Sequence, residues 1–126
     1  MLSAVIVPTL PASTASAFVK LGARRYLVIS IVMAAAVVQR DAAGAVTAAR
    51  VAVGAASAVA RRLPRLEAEL AGLAPGRRLS TVLRRHHLED LAPIDDVRAT
   101  AAYRIEAAFD LVGRALDLAT GNSGLA

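Results

Sequence analysis

The hydrophobic period of this chain changes once, just after Gly54, and that change governs its architecture. Up to Gly54 apolar residues alternate with others or run together in short Val/Ile-rich stretches; from Leu63 onward they recur every three to four residues. Alternation sends side chains to opposite faces of a strand, whereas the longer spacing lines one face of a helix. Strands first and helices afterwards predict an α+β fold: a three-stranded antiparallel sheet with a layer of about three helices packed on one face. A length of 126 residues suits one domain.

Residues 1–15 read as an extended entry segment and loop, and 16–120 as the folded domain. Leu2–Val7 is a short β-rich run stopped by Pro8, and Pro11, Ser13 and Thr14 belong to a loop. A chain opening directly in a strand is expected to find that strand's pairing partner upstream. Ser16–Gly22 alternates, with Ala17, Val19 and Leu21 on one side and Phe18 and Lys20 on the other. Arg24–Leu27 is a turn or short helical connection. Val28–Gln39 is ambiguous, because its alanines favour helix and its Val/Ile content favours strand. The residues after it assign its second half. Arg40–Gly44 is a turn and Val46–Ala55 is another alternating run, so the pair makes an antiparallel hairpin. In that run Thr47, Ala49, Val51 and Val53 are placed on one face, Arg50 and Gly54 on the other.

In the second half, Leu63, Leu66, Leu70 and Leu73 form a helical stripe. Pro64 sits where a missing N–H costs nothing, Glu67 and Glu69 suit the helix dipole, and Gly72, Pro75 and Gly76 end the run. Ser80 is predicted to cap a second helix over Thr81–Leu91. Asp95 or Asp96 is predicted to cap the last helix, with the stripe Val97, Ala101, Ile105, Ala108, Val112 and Leu116 and an end near Thr120. Residues 121–126 read as a disordered tail.

Candidate chemistry is sparse. Cysteine is absent, which removes disulfides, thiolate nucleophiles and Cys-based zinc sites, and suits a reducing cytoplasm. No GxGxxG or P-loop spacing occurs, so the chain has no loop of its own to cradle a dinucleotide pyrophosphate. His86 and His87 are adjacent; on a helix they point about 100° apart and read as surface histidines rather than metal ligands. Capping accounts for Asp95 and Asp96, and Tyr103 and Arg104 read as a packing tyrosine and a surface arginine. No catalytic and no metal-ligating residue is assigned. The thirteen uncharged residues of Tyr26–Val38 fall short of the roughly 20 that a membrane-spanning helix needs.

The net charge is +5, and every basic residue except Lys20 is arginine. The doublets Arg24-Arg25, Arg61-Arg62, Arg77-Arg78 and Arg84-Arg85 read as a solvated, partly salt-bridged surface. The alternative is a small basic nucleic-acid-binding or protein-interaction module; scarce aromatics and the absence of a recognition-helix motif argue against nucleic acid. Lys20, alone beside Phe18, reads from residue types as a side chain snorkelling at a sheet edge.

Five segments stand in a telling order: SAFVKLGARR, YLVISIVMAAAVV, ARVAVGAA, RRLPRLEAELAG and PIDDVRATAAYR. Together they resemble the C-terminal domain of the FAD-binding flavoprotein subunit of molybdenum hydroxylases, the carbon monoxide dehydrogenase and xanthine dehydrogenase family. The resemblance covers residues 2–118. It is most specific in the strand carrying Phe18 and Lys20 and in the segment carrying Asp96, Arg98, Tyr103 and Arg104. It implies an α+β unit beside the flavin of an oxidoreductase, with FAD held mostly by upstream domains that carry glycine-rich loops. It implies that Lys20 is the residue that reaches the flavin, and that the chain alone neither binds FAD tightly nor turns over. The implied partners are the upstream FAD-binding domains or subunit, an iron–sulfur subunit and a molybdopterin subunit, with electrons passing from molybdenum through the clusters to FAD. The sequence departs from the family at Val28, where many members carry an aspartate. Met1 falls where the family enters this domain, so a truncated gene product, a split subunit or an isolated domain is expected.

Overall fold

A computed structural model describes residues 1–121. One antiparallel sheet, in the order β1-β2-β3-β4, is built from β1 (Thr14–Leu21), β2 (Val32–Arg40), β3 (Val46–Gly54) and a two-residue strand β4 (Arg61–Arg62). Two α-helices follow, α1 (Pro64–Leu70) and α2 (Ala101–Ala119), separated by the 3-10 turns Leu79–Val82 and Arg85–Leu88. The α+β architecture is as the sequence predicts, with a short fourth strand added and two α-helices in place of about three.

The helices cover one face. Val32, Ala34, Ala36 and Val38 of β2 and Ala49, Val51 and Val53 of β3 are buried against Leu66 and Leu70 of α1 and Ala108, Val112 and Leu116 of α2. The small alanines let α2 lie close over the sheet. The other face carries Phe18 and Lys20 on β1, Met33, Ala35 and Val37 on β2, and Arg50 and Ala52 on β3. Cross-strand register puts Lys20 opposite Met33, and Met33 opposite Gly54.

Several sequence expectations are corrected. Leu2–Val7 forms no strand: Met1–Leu10 is exposed and without regular structure, since a β-prone run gains nothing until its backbone pairs. Thr47 is exposed rather than inward. The register slips at Gln39/Arg40, so Val46 and Ala49 both turn inward across the irregularity. The predicted helix over Thr81–Leu91 is two 3-10 turns. There the backbone is bonded by side chains: the Arg84 guanidinium donates to the Thr81 and Leu83 carbonyls, and His87 Nδ1 accepts the Arg84 N–H. Ser80 does not cap, because its hydroxyl donates to Asp117 Oδ2 at 3.0 Å.

The last helix starts at Ala101, not after Asp96. Thr100 is its N-cap, accepting the Tyr103 N–H at 3.2 Å, while Asp95 accepts the Ala101 N–H. Val97 is consequently fully exposed. The helix ends at Ala119 as expected; α1 starts at Pro64 as expected but stops at Leu70, with Gly72 (φ +84°) just beyond, so Leu73 of the predicted stripe falls outside the helix and its carbonyl accepts the Val46 N–H at 3.0 Å. The tail predicted at 121–126 lies, apart from Gly121, outside the described residues.

Candidate functional site

The chemically distinctive groups gather at the end of the sheet where β1 stops, β2 starts and β3 stops. Lys20 is exposed on the helix-free face, and its Nζ donates to the Val28 carbonyl at 2.7 Å. Val28 is brought there by Gly22, where a Cβ would stand 2.6 Å from Val28 Cγ1. The Val28 side chain therefore packs on a glycine, while its backbone oxygen serves the lysine.

The connection from β1 to β2 is otherwise held by cations. Arg24 donates to the Leu27 carbonyl at 2.6 Å, and Leu27 adopts a left-handed backbone (φ 49°) that a leucine adopts only under local constraint. Arg25 lies 5.3 Å from the centre of the Tyr26 ring. Lys20, Leu21, Gly22, Arg24 and Arg25 line an open hollow. Three of these five residues are cationic and none is acidic, so the hollow favours an anionic or electron-rich group.

Beneath this connection lies the residue that sequence reasoning placed wrongly. Arg104 is not on the surface: its side chain is 4% exposed. Its guanidinium donates to the Ile31 carbonyl at the entry to β2, to the Ala55 carbonyl beyond β3 at 3.1 Å, and to Asp96 Oδ1 at 2.7 Å. Ala55 has φ 62°, a left-handed turn held in part by that bond. Asp96 also accepts the Arg98 N–H at 2.8 Å, the Ala99 N–H at 3.2 Å and the Arg98 guanidinium at 2.9 Å. These donors, led by the Arg98 N–H, hold its carboxyl at about 2, below the ordinary 3.8. The sequence signal for burial was present: Arg104, Ala108, Val112 and Leu116 recur every four residues along the face turned to the sheet.

The histidine pair is also corrected. His86 is exposed, but the His87 side chain is fully buried. Their Nε2 atoms converge on Glu69 Oε1, at 3.6 Å and 3.2 Å. Contact with His87 leads the interactions that hold the Glu69 carboxyl below its usual range. This convergence does not suit a metal ion. His87 Nδ1 accepts the Arg84 N–H at 3.0 Å, so the ring proton of a neutral imidazole sits on Nε2, on the nitrogen a metal would need.

Comparison with known proteins follows the same lines. The family model of the CO dehydrogenase flavoprotein C-terminal domain matches residues 17–119. A carbon monoxide dehydrogenase from Hydrogenophaga pseudoflava, lacking the Mo-pyranopterin moiety of its molybdenum cofactor, superimposes with a TM-score of 0.80 at 28% identity, over 92% of this chain and 40% of that one. Quinoline 2-oxidoreductase from Pseudomonas putida 86 gives 0.75 at 26% identity, over 89% and 39%. Reconstituted CO dehydrogenase from Oligotropha carboxidovorans shares the fold at 21% identity, with a TM-score of 0.73 over 93% and 40%. The chain thus spans about two-fifths of the length of the chains it resembles. No curated protein sequence matches it significantly.

Proposed function

The chain belongs to the CO dehydrogenase flavoprotein C-terminal domain family, and from that premise we propose that it serves as the part of an FAD-binding oxidoreductase subunit that packs beside the flavin, with Lys20 as the residue facing it. The observation that carries this reading is the cation-lined hollow of Lys20, Arg24 and Arg25 at the end of the sheet. An ammonium has three N–H donors. One is spent on the Val28 carbonyl, leaving two for a ligand.

These residues suit the ring end of FAD and not its pyrophosphate, for which the sequence offers no glycine-rich loop. FAD, when bound, supplies the two-electron chemistry. This chain's own part is electrostatic: Lys20 places a fixed positive charge and unspent N–H donors where an electron-rich ring is stabilised. Most of the FAD contacts, and the iron–sulfur and molybdopterin partners that deliver electrons, belong to polypeptide outside these residues.

The test is a titration of FAD against the pure chain, and against the chain mixed with the polypeptide encoded immediately upstream, followed by flavin fluorescence. The proposal expects no tight binding by the chain alone and stoichiometric binding by the pair. Tight, stoichiometric binding by the chain alone contradicts it.

A further inference from the structure

We propose that Arg104 is a positioning residue for Lys20, acting through the segment from Val28 to Ile31. That segment is gripped at both ends by cations from different elements. Lys20 of β1 donates to the Val28 carbonyl at 2.7 Å, and Arg104 of α2 donates to the Ile31 carbonyl. Between them the Ile31 N–H donates to the Leu21 carbonyl at 2.8 Å, next in sequence to Lys20. Residues 28–31 lie outside the strands, so ladder pairing does not fix the direction of the Val28 carbonyl. The two cations and the Leu21 bond do.

Arg104 is suited to be the fixed end. It is buried on a helix of nineteen residues whose inner face lies on β1 and β2. Its guanidinium is itself held at 3.1 Å to Ala55 and 2.7 Å to Asp96, and the Asp96 carboxylate is oriented by two backbone N–H groups. A path of hydrogen bonds, joined by the main chain from Ile31 back to Val28, therefore runs from the Asp96 turn through Arg104 to the Lys20 ammonium. Releasing its Arg104 end frees the carbonyl that seats Lys20, and the ammonium loses its fixed position.

The consequence for a flavin rests on the function proposed above, but the coupling does not, and it is measured without FAD. Lys20 is the only lysine, so the full chain grown with lysine carrying 13C at Cε gives a single Cε–Hε signal. In the parent chain this signal is expected to lie away from that of free lysine, with two distinct Hε protons. Arg104→Met and Asp96→Asn are expected to move it toward free lysine and merge the two protons. Asp117→Asn is the control. It breaks the Asp117 contacts to Arg78 and Ser80 at the far end of the same helix, and is expected to leave Lys20 unmoved. Asp96→Glu, which keeps the carboxylate, is expected to restore much of the parent signal. Should Arg104→Met fail to fold, the Asp96 variants carry the test alone. An unchanged Lys20 signal in a folded Arg104 or Asp96 variant overturns the proposal, as does an equal change in Asp117→Asn. A Lys20 that responds as expected while the chain and its upstream polypeptide bind no flavin would retain the coupling and discard the flavin reading.

Discussion

Asp96 Oδ1 and Arg104 Nη2 meet at 2.7 Å, with the Arg104 side chain 4% exposed and that of Asp96 23%. The pair joins the turn before α2 to the helix itself, and the guanidinium's Nη1 ties both to the start of β2 and the end of β3. Of this guanidinium's five N–H donors, three bonds go to a carboxylate and two carbonyls, while the buried Nε–H has no partner.

Arg104→Met removes that donor set while keeping much of the apolar bulk. It leaves the Ile31 and Ala55 carbonyls without their guanidinium donor, and each unmet buried group costs about 1–3 kcal/mol. The expected loss is about 2–6 kcal/mol, read as a lower urea midpoint with an unchanged slope.

Acid should loosen the same corner. Asp96 falls from 3.8 to about 2 in the folded chain. For Glu67, burial pushes the carboxyl up, but bonds from Arg62 and from the Val51 N–H outweigh it and leave the value lowered. Because both folded values lie below the ordinary ones, protons bind the unfolded chain first. Their contributions are complete above the ordinary carboxylate range near pH 4, and are lost as pH falls through the folded values, for Asp96 toward about 2. Urea midpoints measured between pH 6 and pH 2 should decline across that range, and less steeply in Asp96→Asn.

Gly22→Ala should disturb Lys20 without touching it. The added Cβ stands 2.6 Å from Val28 Cγ1, too close for a real contact, so the Val28 side chain must shift beside the carbonyl that seats Lys20. The single lysine signal should shift, while the melting temperature changes far less than in Leu66→Ala, where a fully buried side chain is lost at about 2–5 kcal/mol.

Zinc should not stabilise the chain. With His87 Nδ1 accepting an N–H at 3.0 Å, the Glu69, His86 and His87 cluster offers no lone pair on His87 Nε2 without rearrangement. Equimolar zinc is expected to leave the thermal midpoint where it was; a clear rise refutes the assigned tautomer.

Lys20→Met, in a complex that holds FAD, should lower the flavin reduction potential, because a cation beside the ring favours the electron-rich form. A tenfold weaker stabilisation corresponds to roughly 30 mV for a two-electron couple. An unchanged potential contradicts the role proposed for Lys20.

Much of the fold was legible because alternation and helical spacing are direct images of burial. Val32, Ala34, Ala36 and Val38 of β2 and Ala49, Val51 and Val53 of β3 face α1 and α2 as alternation requires, and Leu63, Leu66 and Leu70 are buried as a stripe predicts. The misplaced helix boundaries share one cause, namely backbone groups bonded by side chains. Arg84, His87 and Asp117 divide the stretch after Ser80 into 3-10 turns, and Asp96 folds its own backbone into a turn that delays α2 to Ala101. Arg104 was misread because a charged side chain was assigned to solvent despite standing four residues from Ala108. Lys20 was placed correctly on its face, but its bond to the Val28 carbonyl depends on a connection with no periodic signal.

The most direct measurement of the central claim is the visible absorption of the chain co-purified with the polypeptide encoded immediately upstream. A yellow complex with flavin bands, and one FAD per complex, is the predicted result. A colourless chain that comes off the column without its neighbour would contradict the claim.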